Sequence, residues 1–271
     1  MKRARGFTLV ELVVTIAISA VVVAFAAMFI QAPADAYIAS AHRAELQDST
    51  SIAWPRMQND IQLALPNSAR QRVNGNIKVL ELLPIVDSAR FMSTPGGSFK
   101  TAGVFKTSPT GYYLAVDNEP ASGRDAYNPA SKVMTTAGNA ISASATDLAK
   151  WEDTFNLTPA FVFNAAALTT RHIYLVQKPV TYLCDQTAQT LQRFTGYDVA
   201  ALQSARDTVA ELLAAHGTGT LLARNVTFCA FTVDPPPVGG NASQIVTVQM
   251  NATRDGATTS LYETAAVRRL E

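Results

Sequence analysis

The sequence contains few of the residues from which catalytic and metal sites are usually built. Its only histidines are His42, His172 and His216, and they stand far apart without a neighbouring Cys or His. Hydrolytic and metal chemistry need several such side chains in one place, and no motif here supplies them. The stretch Gly217-Thr218-Gly219 also lacks the lysine of a phosphate-binding loop. We therefore predict no catalytic residue, no metal site and no cofactor.

Charged residues are sparse too, at 16% of the chain, and they form no extended block. The formal net charge is +1, but Lys2, Arg3 and Arg5 all precede the first apolar segment. Without these three, 19 basic residues of the original 22 face 21 acidic ones. Nucleic-acid binding requires a basic surface, so this balance predicts no nucleic-acid partner.

One long apolar run does occur near the N-terminus. From Leu12 to Ile30 the only polar side chains are Thr15 and Ser19. A helix rises about 1.5 Å per residue, so roughly 20 such residues cross a bilayer. Basic residues precede the run and none follows until Arg43. This asymmetry predicts a single span with a cytoplasmic N-terminus and the rest of the chain on the far side.

An acidic residue, Glu11, lies at the start of this apolar segment. An ionised carboxylate within a membrane costs on the order of a few kcal/mol unless it is paired. Cleavage between Gly6 and Phe7 would create an α-amino group on Phe7, and a neighbouring subunit could present that amine to Glu11. We therefore predict that Glu11 acts in assembly.

The string Gly6-Phe7-Thr8-Leu9-Val10-Glu11, with its short basic leader and apolar helix, resembles the class III signal of type IV prepilins and pseudopilins. The resemblance implies that prepilin peptidase cuts after Gly6 and methylates Phe7. It also implies that the helix anchors the subunit in the inner membrane and later packs in a filament core. The implied partners are other major and minor subunits, an inner-membrane assembly platform, and membrane lipid along residues 7–32.

Two other interpretations of this segment exist. Ala24-Phe25-Ala26 fits the cleavage site of a conventional signal peptide. However, Glu11 would then fall within the apolar region, and that region continues through Ile30. The segment could also be a simple membrane anchor in which Glu11 is incidental.

The helical pattern continues beyond the apolar run and ends at the first Pro-Asn-Ser sequence. Residues 33–65 are amphipathic, with apolar residues at four-residue spacing: Ala53, Met57, Ile61 and Leu65. Because proline lacks a backbone donor, we expect the helix to be kinked or restarted near Pro33 and Pro55. It should end before Pro66.

The remainder of the chain reads as a β-rich head. Short β-like runs separated by Pro and Gly occur at 77–83, 112–116, 172–183, 191–197, 221–233, 244–252 and 259–267. Residues 123–149 resemble a long loop, and 199–216 resemble a helix with Arg206, Asp207 and Glu211 on its exposed face. The prediction is an α+β fold in which a long N-terminal helix packs on a mostly antiparallel, pilin-like head. Its parts are a cleaved leader at 1–6, a membrane helix at 7–32, an amphipathic helix at 33–65 and a periplasmic head at 66–271.

Cys184 and Cys229 are the only cysteines. In an exported protein they are expected to form a disulfide, and closing so long a loop stabilises a fold by roughly 4 kcal/mol. The alternative is two buried free thiols, because free Cys packs as a small apolar residue.

A narrower resemblance lies in the head. The stretches Ala64-Leu65-Pro66-Asn67-Ser68-Ala69-Arg70 and Asn225-Val226-Thr227-Phe228-Cys229-Ala230-Phe231, together with Cys184, resemble MshO-type minor pseudopilins of MSHA pilus systems. Pro33 lies further along than the proline common in major pilins, so the position of a helix bend is not carried over. The resemblance implies a structural or assembly-initiating subunit and no enzyme.

Three alternatives to this role stay open. The first is a J-type minor pseudopilin of type II secretion, which shares the signal and the broad head. The second is a tip adhesin or DNA-binding minor pilin, for which an exposed basic or aromatic cluster would argue. The third is an enzyme carried on a pilin anchor. Aromatic residues that could form a ligand platform, though such residues more often belong to a core, are Tyr112, Tyr113, Trp151, Phe155, Phe161 and Phe163.

Overall fold

The computed structural model describes residues 8–168, 170–234 and 243–268. Within these ranges the side chains at 28, 30–35, 49–50 and 144–145 are left out of the description. Gly6 and Phe7 lie outside the described residues. A long helix, α1 (Leu9–Gln62), leads into a β-rich head that also holds the short helix α2 (Val209–Ala214). The predicted α+β class is confirmed.

The described strands follow α1 in chain order. They are β1 (Arg70–Asn74), β2 (Ile77–Leu82), β3 (Ile85–Phe91), β4 (Ser98–Ala102), β5 (Tyr113–Ala115), β6 (Ala140–Asp147), β7 (Glu152–Thr158), β8 (His172–Val176), β9 (Val180–Asp185), β10 (Thr190–Thr195), β11 (Thr218–Arg224), β12 (Val226–Asp234), β13 (Ile245–Arg254) and β14 (Ala257–Ala266). They form a five-stranded sheet in the order β1-β2-β9-β10-β11, a three-stranded sheet β12-β13-β14 and a six-stranded sheet β5-β8-β3-β4-β7-β6. Each pairing between these strands is antiparallel.

Helix α1 runs through both prolines as one helix, so of the two predicted outcomes, a kink or a restart, the restart does not occur. A proline inside a helix costs about 3 kcal/mol, and close packing on either side of Pro55 offsets that cost. Ala53 and Met57 are fully buried against the sheets. The helix ends at Gln62, three residues before the predicted end, where the Leu63 and Ala64 amides bond back to the last turn.

The head has two layers. In the proximal layer the C-terminal part of α1 packs against the five- and three-stranded sheets, with Met57, Ile61 and Tyr182 in its core. In the distal layer, residues 84–179, the six-stranded sheet covers a separate core around Phe155. The distal layer lies beyond the C-terminal end of α1.

One bent two-stranded ribbon connects the layers. In the proximal layer Leu82 of β2 pairs with Val180 of β9, and in the distal layer Ala89 of β3 pairs with Ile173 of β8. The two pairs are separated by seven residues on each strand, so the strands keep the same register at these pairs on the two sides of the bend. Residues 172–183, predicted as one strand, form two because the bend lies at 177–179. Proline at 179 cannot donate to the ladder there.

Two asparagines hold the distal layer to the end of α1. Asn67, at a positive φ of 61°, donates from Nδ2 to the Asn118 carbonyl at 2.9 Å. Asn118 donates in return from Nδ2 to the Pro66 carbonyl at 2.8 Å, and its own Oδ1 accepts from the Ala126 amide. Asn118 is almost completely buried. This reciprocal contact satisfies backbone groups that neither layer satisfies alone.

The same segment is also bonded to the sheets. The Ala69 amide donates to Gln244 Oε1 at 3.0 Å, and Gln244 Nε2 donates to the Ala69 carbonyl at 2.9 Å. The Leu65 amide donates to the Leu83 carbonyl at 2.7 Å, where the ribbon bends. Residues 64–70, hereafter the junction segment, therefore join the helix end, the three-stranded sheet and the distal layer.

Several predictions about the head are corrected by the structure. Strands β1, β3, β4 and β7 were not expected, and β6 lies within the predicted loop 123–149. The predicted helix 199–216 is helical only at a short turn, Gln203–Ala205, and in α2. Asp207, predicted to be exposed, is 2% exposed because it accepts hydrogen bonds from Arg72 Nε and Asn74 Nδ2. Such long-range polar pairing leaves no trace in local periodicity.

A disulfide joins Cys184 to Cys229. Cys184 lies on β9 and Cys229 on β12, so the bond connects the five-stranded sheet to the three-stranded sheet. Both residues are buried in the proximal core. The sequence prediction of one disulfide therefore agrees with the structure.

Asp60, near the end of α1, fixes the helix to the five-stranded sheet. Its Oδ2 accepts hydrogen bonds from Tyr182 Oη and Arg193 Nε, each at 2.7 Å. Burial, and then the charge of Asp60, raises the pKa of Tyr182, so the phenol stays protonated and remains a donor. The Arg193 side chain is 15% exposed and that of Asp60 9%.

Asp60→Asn tests this contact. The change leaves the Arg193 guanidinium largely buried without its counter-charge, so we expect the free energy of unfolding to fall by about 3 kcal/mol. Asp48→Asn, at an exposed position on the same helix, is the control and should change it by less than about 0.5 kcal/mol. Denaturant unfolding of the detergent-solubilised protein measures both, and equal stabilities would contradict the assignment.

Candidate assembly site

The N-terminus of α1 is capped by Thr8. Its backbone is extended, its Oγ1 accepts a hydrogen bond from the Glu11 amide at 3.3 Å, and its carbonyl accepts from the Leu12 amide at 3.2 Å. Glu11 therefore lies in the first helical turn, where the helix dipole favours a negative charge. The predicted processing residues Gly6 and Phe7 lie outside the described residues.

The segment Leu9–Ala27 has no contact that buries it. Its mean hydropathy is 2.6, and none of it is buried within the subunit. At about 1.5 Å per residue this segment is roughly as long as the hydrocarbon core of a bilayer is thick. Its large side chains are about half to four-fifths exposed, from Val14 at 48% to Leu9 at 80%. Such a surface requires a non-aqueous environment, either lipid or other helices.

Glu11 is the single charged residue of Leu9–Ala27. Its side chain is exposed. The nearby hydroxyl of Thr15 donates to the Leu12 carbonyl at 2.9 Å, so this polar group is satisfied within the helix. The carboxylate of Glu11 is thus the group of this segment that calls for an external partner.

Contact between α1 and the head begins about two thirds of the way along the described helix. Leu46 is buried against Ala252 of β13 and Ala257 of β14, which flank the β13–β14 turn. On the N-terminal side of Leu46, Glu45 pairs with Arg254, and His42 Nδ1 lies 3.3 Å from an Asp255 carboxylate oxygen. The helix is therefore held from about residue 42 onward and is bare over Leu9–Ala27.

The largest buried polar cluster of the head is structural. Arg70 donates from Nε to Glu81 Oε2 at 2.8 Å, its Nη2 lies 2.7 Å from the same oxygen, and Tyr197 donates to Glu81 Oε1 at 3.2 Å. Burial raises the pKa of Glu81, although Arg70 acts in the opposite direction. The Arg70 guanidinium also stacks 3.5 Å above the Tyr127 ring. These side chains bind one another, and they hold β1 and β2 to the loops that carry Tyr127 and Tyr197.

Most of the aromatic residues considered for a ligand platform belong to the core, as the sequence analysis favours. Tyr113, Phe155 and Phe163 are buried in the distal core, and Phe161 packs against it. Trp151 is different, since it lies in the β6–β7 turn and is 68% exposed. His172, at the start of β8, has its pKa lowered by partial burial and by Arg90. Among the described residues, no three His, Cys, Asp or Glu side chains converge as a metal site.

Truncation from the N-terminus tests where the head begins. Deleting residues 1–27 removes the unburied helical segment Leu9–Ala27 and the residues before it, so we expect the free energy of unfolding to stay within about 0.5 kcal/mol of the full chain. Deleting residues 1–47 also removes Leu46 and both ion pairs with the β13–β14 turn, which should cost about 2–4 kcal/mol. Unfolding in one detergent buffer compares all three proteins. Equal losses in the two deletions would show that the bare helix supports the head.

In comparisons with known proteins, only the N-terminal segment of the chain has a match. The family model of the prokaryotic N-terminal methylation motif matches residues 1–27. No curated protein and no solved structure matches the chain. The motif agrees with the described geometry, in which a capped, bare apolar helix carries one acidic residue in its first turn. This N-terminal methylation motif indicates a type IV pilin- or pseudopilin-like protein.

Proposed function

We propose that this protein is a minor pilin or pseudopilin, a structural or assembly-initiating subunit of a type IV pilus of the MSHA kind. The observation that carries the proposal is the bare segment Leu9–Ala27 with Glu11 in its first turn. A helix that its own subunit leaves uncovered suits a component that moves from lipid into a bundle of identical helices. The methylation motif supports the same route.

The proposed path begins with residues 1–6 as a leader that prepilin peptidase removes. Residues 7–32 then anchor the subunit in the inner membrane and later enter the filament core. Residues 33–65 connect this anchor to a periplasmic head at 66–271. The contact of Leu46 with the β13–β14 turn supports such a division, because it marks where the helix joins the head.

Assembly in this scheme depends on one ion pair between subunits. Cleavage would leave an α-amino group on Phe7 of an incoming subunit, and Glu11 of its neighbour would pair with it. In an apolar setting two charges attract several times more strongly than in water, and an unpaired carboxylate there is costly. Only a subunit in the correct register brings the two groups together. The pair would therefore set the axial position of each helix.

The MSHA-like version of the proposal rests on the sequence of the junction segment, since residues 64–70 carry the stretch that resembles MshO-type subunits. In the structure these residues bond to Asn118 and Gln244 in two different parts of the head. A J-type pseudopilin of type II secretion remains the second candidate, on the shared N-terminal signal. The motif favours a structural subunit over an enzyme.

Glu11→Val tests the assembly mechanism. The variant should be cleaved and inserted like the parent protein but should fail to enter filaments, because the neighbour's amine lacks its carboxylate. Glu11→Asp, which keeps the charge, should retain partial incorporation. Thr15→Val removes a hydroxyl that is already satisfied within the helix and should assemble normally. Immunoblots of sheared filament fractions measure incorporation, and normal incorporation of Glu11→Val would refute the mechanism.

A further inference from the structure

We draw no further inference here: the strongest candidate, the exposed and uncharged edge of β11 at residues 218–221 with the adjoining groove between α1 and residues 221–225, carries no proposal, because nothing in the structure shows what covers it.

Discussion

A helix that buries nothing within its own subunit imposes the main constraint on this protein. Leu9–Ala27 has the length and hydropathy of a membrane span, and none of it contacts the head. So exposed an apolar helix is unfavourable in water, which is consistent with a segment that lies in a membrane or among other helices. Glu11 adds a second condition, because its carboxylate needs a counter-charge in either place. The head therefore buries its own hydrophobic cores, whereas the helical segment Leu9–Ala27 has no packing partner within the subunit.

The parts of the head are held together by a small number of hydrogen bonds, one ion pair and a disulfide. The junction segment links the helix end to both layers through paired amides at Asn118 and Gln244. Asp60 fixes the last turns of α1 to β9 and β10, and the disulfide connects the two proximal sheets. These contacts fix the head firmly to the C-terminal end of α1.

The sequence predicted those parts whose signal is local. The apolar run, the end of α1 before Pro66 and the alternation along β13 all depend on neighbouring residues, and each was found. Strands β4, β6 and β7 were missed because their small and polar residues gain strand structure from pairing with one another, β6 with β7 in a hairpin and β4 with β7 across a long separation in the chain. The sequence predicted Asp207 to be exposed because the partners to which it bonds, Arg72 and Asn74, lie far away in the chain.

The central claim is that this chain enters the pilin pathway through its N-terminus. The mass of the N-terminal peptide, measured on protein from cells with and without prepilin peptidase, tests that claim most directly. The account predicts a peptide that begins with methylated Phe7 when the peptidase is present and an uncleaved Met1 when it is absent. An intact Met1 in both strains, or a start after Ala26, would contradict it and would return the segment to a plain anchor or a conventional signal peptide.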